Sequence, residues 1–130
     1  PEFYKEAYDC GADHVYAVTL SAELSGSYNS AQLGRQLLLE EHPEKKIYVF
    51  NARSASIGET LTAAHLLECE GRGMDFLETV KDTERYIRGR KTFFVLENLD
   101  VLRKNGRLGN LKALVASALK IRPILGATAE

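Results

Sequence analysis

The sequence predicts an α/β fold: a mainly parallel sheet with helices on both faces, a Rossmann-like lobe, followed by the beginning of a second α/β lobe. Three observations carry that expectation. Short apolar runs at His14–Leu20 and Lys46–Phe50 alternate with long stretches of helical periodicity. Each run passes to its helix through a polar turn rather than a hairpin signal, as parallel strands require. A third apolar run, Thr92–Leu96, follows Gly89 and opens a β-α-α-β order unlike the two βα units before it.

Each element has its own signals. Helical spacing from Phe3 to Cys10 puts Phe3, Ala7 and Tyr8 on one side and stops at Gly11, a left-handed cap position. Strand His14–Leu20 empties through a Ser/Gly turn into a helix over about Ser27–Glu41, for which Ser25 or Ser27 is a natural N-cap. Pro43 lies just past its end. The strand Lys46–Phe50 leads through Asn51–Ser56 into a helix from about Ile57 to Glu70, closed by Gly71-Arg72-Gly73. Asp75 caps a further helix whose inner face is read as Phe76, Val80 and Ile87, and Gly89 stops it. After strand Thr92–Leu96, Asn98 is placed to cap a short helix through Leu102. Leu111, Leu114, Val115 and Ala118 mark another helix, and Ile121–Thr128 reads as a last strand. Right-handed crossovers cover the first sheet on both faces.

Both ends look cut. Helical spacing is already present at Pro1, and the last strand stops without a partner or turn. The expectation is therefore a central fragment. Residues 1–89 form part of a first lobe lacking its first strand and upstream segment, and residues 90–130 form the start of a second lobe lacking its C-terminal part. Open sheet edges of such a piece invite self-association.

Composition narrows the function classes. The chain has 130 residues, 45% hydrophobic, and a formal net charge of −1, so no basic field makes nucleic acid a default partner. No apolar run approaches the roughly 20 residues of a membrane span, and a cytoplasmic location is expected. Cys10 and Cys69 lack CxxC spacing and read as buried free thiols. His14, His42 and His65 read as scattered, surface or satisfied core histidines without ligand spacing, so neither a metal nor a cofactor is expected.

The chemistry concentrates in Thr19–Ala31, where Ser21, Ser25 and Ser27 crowd around Gly26 between a strand and a helix. Backbone N–H groups, hydroxyls and the positive helix end converge there on one anion, carboxylate or phosphate. The plain alternative for Ser25 is helix capping. Glu23 opposes an anion unless it faces water. No histidine can be placed beside Ser25, which argues against a serine hydrolase.

Four segments, in order, are similar to one known family. They are Leu24-Ser25-Gly26-Ser27-Tyr28-Asn29-Ser30-Ala31, Ser54-Ala55-Ser56-Ile57-Gly58-Glu59, Phe94-Val95-Leu96-Glu97-Asn98-Leu99 with Leu102-Arg103-Lys104-Asn105-Gly106-Arg107-Leu108, and Leu119-Lys120-Ile121-Arg122-Pro123-Ile124-Leu125. Over essentially its whole length the chain resembles the DegV family, bacterial proteins that bind a long-chain fatty acid. The resemblance implies two α/β lobes sandwiching the acyl chain, with the carboxylate held by hydroxyls and backbone amides. It implies Ser25 with Gly26 as the head-group contact, and Ser21 and Ser27 as second choices. It also implies a Thr-Ser motif upstream and a basic residue beyond Glu130, neither within this chain. The family usually has Asp-Ser where this chain has Asn51-Ala52, which puts a role for the second turn in doubt.

Tunnel walls are read as Leu24, Ile57, Phe94, Leu114 and Ala118, each with ordinary core as its plain alternative. A buried methylene contributes about 0.8 kcal/mol, so the tail supplies most of the affinity and the head group fixes orientation. Lys104-Asn105-Gly106-Arg107 is in the plain view a solvated helix exit. In the family view Lys104 and Arg107 face a kinase partner near the tunnel mouth. The resulting expectation is a carrier, not a catalyst, that presents fatty acid to a fatty-acid kinase. The rivals are a phosphotransfer enzyme or subunit binding a small phosphorylated metabolite, and a non-catalytic interaction domain.

Overall fold

The computed structural model of the chain describes residues 1–97, 100, 104–106 and 124–127. The elements run α1 (Glu2–Asp9), β1 (His14–Thr19), α2 (Ser27–Glu41), β2 (Lys46–Asn51), α3 (Ile57–Gly71), α4 (Phe76–Gly89), β3 (Thr92–Phe94) and β4 (Leu125–Ala127). The α/β class holds: β1 and β2 are parallel and in register from His14 opposite Lys46 to Thr19 opposite Asn51. Because the two strands end level, the turns that follow them emerge side by side.

Alternation along the strands sorts the helices. Tyr16, Val18, Tyr48 and Phe50 pack on one face with Leu66 of α3 and Val80 and Ile87 of α4. Ile47 and Val49 point to the other face and are just as buried; there α2 lies over β2, with Leu38 buried and the Arg35 Nε donating to the Ile47 carbonyl at 2.8 Å. Helix α1 ties onto α2 through the Tyr4 hydroxyl, which donates to the Ala31 carbonyl at 3.0 Å. A Cβ at Gly34 would sit 3.2 Å from the Pro1 nitrogen and 3.5 Å from the Tyr4 ring, so glycine permits that close approach.

Helix ends follow local chemistry. The Asp75 side chain accepts from the Glu78 N–H at 2.8 Å, as its position before an amphipathic run predicts. Gly11 and Gly73 take φ of +86° and +73°, the conformation each helix exit needs. At the start of α2 the N-cap is Gly26, not a serine. Ser25 stands one residue earlier and accepts from the Ser27 N–H at 3.2 Å, while Ser27 already lies inside the helix.

Three further expectations are corrected. Cys10 is exposed, because α1 buries no residue and its C-cap faces outward; Cys69 is fully buried. Phe3 points to solvent, and Tyr4 takes the inward place. The expected inner face of α4 holds, with Ile87 buried and Val80 packed on the core, and the buried Thr79 and Thr83 join it in a stripe at four-residue spacing. Phe76 is half-buried, its ring stacked on Tyr16 with centroids 5.5 Å apart. Finally, the last strand has a partner: β4 pairs antiparallel with β3, Phe93 opposite Gly126.

The chain divides into two compact units, 1–90 and 91–130. In the second, strand β3 ends at Phe94 rather than Leu96. The helices expected after Asn98 and over Leu111–Ala118, and the start of the last strand at Ile121, lie outside the described residues.

Candidate functional site

The β1–α2 turn is held from three sides. The Ser21 N–H donates to the Ser54 carbonyl at 2.7 Å, and the Leu24 and Ser25 N–H groups both donate to the Ser21 carbonyl, at 3.0 and 3.2 Å. The Asn51 side-chain oxygen, at the end of β2, accepts from the Ala22 N–H at 3.3 Å and from the Arg53 N–H at 2.9 Å. One amide oxygen thus joins the first turn to the second, which gives Asn51 a structural part.

That backbone sets the hydroxyls. Ser21 Oγ accepts from the Glu23 N–H at 3.3 Å and Ser25 Oγ accepts from the Ser27 N–H at 3.2 Å. A serine hydroxyl whose lone pair is occupied in this way keeps its one O–H free to donate elsewhere. Ser27 Oγ is buried and has no hydrogen-bond partner among the described residues. The first N–H groups of α2 also point out of the helix end, where intrahelical acceptors are lacking. Hydroxyl donors beside a positive helix end suit an anion. Glu23 is exposed, as expected for a carboxylate beside such a site.

The structure brings Ser21, Leu24, Ser25, Gly26 and Ser27 together on this turn. Ile57 opens α3 at the same strand ends and is 63% exposed, so it is not ordinary core of the first unit. Phe94 lies in β3 of the second unit and is half-buried there. Lys104 is exposed, and Gly106 takes φ of +70°. Leu114, Ala118 and Arg107 fall outside the described residues.

The second turn is rigid. Arg90 reaches back from the end of α4, and its guanidinium donates to the Gly58 carbonyl at 2.7 Å, the Thr62 hydroxyl at 3.0 Å and the Ala52 carbonyl at 2.7 Å. Ser56 and Glu59 form a capping box, the Glu59 carboxylate accepting from the Ser56 N–H at 3.0 Å. Arg53 and Ser56 adopt φ of +48° and +54°, a conformation residues with side chains rarely hold.

Two grooves lie elsewhere. One, about 630 Å³, runs along the outer side of α2 past Gln32, Arg35 and Gln36. The other, about 750 Å³, sits at the opposite end of the strands beside His14, Tyr16, Lys45, Lys46 and Glu70. There the Glu70 carboxylate bonds His14 Nδ1 at 2.9 Å and accepts from the Tyr16 hydroxyl at 2.5 Å. Burial first, then Glu70, pushes the Tyr16 hydroxyl far up, so it acts as a neutral donor. His14 is a satisfied histidine far from the Ser/Gly turn along β1.

Sequence reasoning missed one cluster. His65 and Cys69 stand four apart on α3, a spacing that sets both on one helix face, and Asp82 of α4 meets them. Their three ligand-type atoms lie within 4.8 Å of one another. His65 is thus a satisfied histidine, bonded to Asp82 at 2.8 Å, and its i, i+4 relation to Cys69 is the one signal of the cluster in the sequence. Burial, and then the Asp82 carboxylate, pushes the Cys69 thiol up, so it is not an activated nucleophile.

The model of the DegV family, described as uncharacterised proteins, matches residues 1–129. The chain belongs to the DegV family. A DegV domain-containing protein of Streptococcus pneumoniae is 39% identical over 124 residues, covering 95% of this chain and 44% of that protein. Among solved structures, a DegV-family protein of Ruminococcus gnavus with vaccenic acid is 54% identical, with a TM-score of 0.82, over 99% of this chain and 46% of that one. The fatty acid kinase B3 protein of Streptococcus pneumoniae, loaded with linoleic acid, is 37% identical, with a TM-score of 0.82, over 98% and 45% of the two chains. This DegV-family chain therefore spans less than half the length of the relatives it matches. Among the described residues no helix is long and apolar enough to cross a membrane.

Proposed function

We propose that this chain is part of a cytoplasmic long-chain fatty-acid carrier, with the carboxylate at the β1–α2 turn and the acyl chain between two lobes. The supporting observation is the turn itself. Hydroxyls of Ser21 and Ser25 are occupied as acceptors by backbone N–H groups and keep their protons for a ligand, beside the buried, unpartnered hydroxyl of Ser27. Gly26 leaves room for a head group, since a Cβ there would meet nothing within 4 Å. That chain relatives are loaded with vaccenic and linoleic acid supports an aliphatic carboxylate over a phosphate.

Leu24, Ile57, Phe94, Leu114 and Ala118 are in this reading the residues that line the acyl chain. The protein binds and presents its ligand, needs no cofactor, and hands the acid to a kinase partner through the turn carrying Lys104 and Arg107. The kinase relation rests on the relative's name alone. The test is organic extraction of the purified full-length protein followed by mass spectrometry. Co-purified long-chain fatty acid is expected. A bound phosphorylated metabolite instead would make the protein a phosphotransfer enzyme or subunit, and an empty protein that takes up no fatty acid would leave an interaction domain.

A further inference from the structure

We propose that His65, Cys69 and Asp82 form a binding site for a divalent zinc-type cation on the seam between α3 and α4, independent of the fatty-acid reading. The argument is geometric. His65 Nε2 lies 2.8 Å from Asp82 Oδ2 and 3.6 Å from Cys69 Sγ, and Sγ lies 3.8 Å from the same Asp82 oxygen. Tetrahedral zinc with ordinary Zn–N, Zn–S and Zn–O bonds separates sulfur from nitrogen or oxygen by about 3.6 Å, and nitrogen from oxygen by about 3.4 Å. Both sulfur edges of the triangle already match within about 0.2 Å, and the nitrogen–oxygen edge has to open by roughly 0.6 Å.

The atoms also face a common centre. Asp82 Oδ2 meets His65 Nε2 and accepts from the Cys69 thiol, and Nε2 also faces Cys69; a cation at the centre takes the place of the protons these atoms share. The imidazole is held in its plane by stacking on Tyr86, centroids 4.3 Å apart and 8° between planes, and Arg85 pairs with the other Asp82 oxygen. Cys69 is fully buried, while the His65 and Asp82 side chains keep 17% and 21% exposure, so the cluster is open to solvent on their side.

Ligand chemistry selects the metal class. A thiolate with an imidazole favours zinc or a similar borderline-soft ion over magnesium or calcium. Charge balances: Zn²⁺ takes the Cys69 thiolate, whose proton leaves to solvent, the Asp82 carboxylate, and the neutral His65 ring with its proton on Nδ1. The site so filled is electrically neutral.

The test uses the full-length protein with every cysteine except Cys69 replaced by serine, titrated with Zn²⁺ by calorimetry and with Co²⁺ by absorption. One equivalent should bind, and cobalt should give thiolate-to-metal charge-transfer absorption. Cys69→Ser should abolish that band. Cys69→Ser, His65→Gln and Asp82→Asn should each weaken Zn²⁺ by about a hundred-fold or more, beyond what loss of an outer partner costs. No saturable binding, undiminished affinity in Cys69→Ser, or a cobalt complex without the thiolate band would each overturn the site. Where a variant fails to fold, the cobalt spectrum of the Cys69-only protein decides the matter by itself.

Discussion

The two turns that leave β1 and β2 start level and lie against each other, yet they are built in opposite ways. The first is held through its backbone and keeps its side chains in hand: Ser21, Ser25 and Gly26 face outward from a loop pinned by Ser54 and Asn51. The second spends its polar groups on itself and on Arg90, with Ser54 only 3% exposed and two residues at positive φ. A presenting loop beside a fixed one is how a site gains rigidity without losing free donors. The adjacent turn supplies the restraint.

Removing the restraint should produce the largest effect. Arg90→Ala takes the guanidinium donor from the Gly58 and Ala52 carbonyls and the Thr62 hydroxyl, leaving Gly58 its bond from Thr62, and should cost about 3 kcal/mol of stability, read by denaturant unfolding of the full-length protein. A loss under about 1 kcal/mol would show that the second turn holds itself and that the contrast is overdrawn. Gly58→Ala comes next. A Cβ there would stand 2.1 Å from Ser54 Oγ and 2.3 Å from Ser54 Cβ, so Ser54 has to move, at about 2–3 kcal/mol by the same measurement.

The first turn should answer to ligand instead. Ser25→Ala should leave unfolding nearly unchanged but weaken fatty-acid binding by about 1–3 kcal/mol, the cost of leaving a charged acceptor one donor short, measured by calorimetry. If Ser21→Ala or Ser27→Ala abolishes binding while Ser25→Ala does not, the head group sits on a different hydroxyl. The smallest stability effect belongs to Gly26→Ala. With φ of −71° and open space around it, that change should shift stability by no more than about 0.5 kcal/mol. Affinity should still fall, because the methyl occupies the ground a head group needs. Equal responses from Gly26→Ala and Gly58→Ala would erase the distinction between the turns.

Much of this architecture was legible in the chain. The apolar strands, the helical periods and the Asp75 cap are local signals, and local physics decided them. So was the placing of Ser21, Ser25 and Ser27 along one strand-to-helix connection, which the order of elements by itself requires. What failed was of another kind. Cys10 looked buried because cysteine usually is, but its exposure depends on how little of α1 packs. The capping serine was misplaced by one residue because the turn backbone, not the residue type, chose Gly26. Arg90 is expected at the start of the second lobe, and its contacts 28 to 38 residues back lie beyond any window of sequence. Asp82 likewise meets His65 and Cys69 only after two helices are packed.

Asn51 has a consequence for variation at its position. Both of its bonds to the turns use the side-chain oxygen, and neither uses the amide NH₂. The place therefore asks for a lone-pair-bearing oxygen on a short stem, and aspartate meets that demand as well as asparagine. Asparagine in place of the aspartate of the resembled family's Asp-Ser pattern is thus an exchange of charge that keeps this acceptor, whereas an aliphatic residue of the same size would unlatch both loops at once.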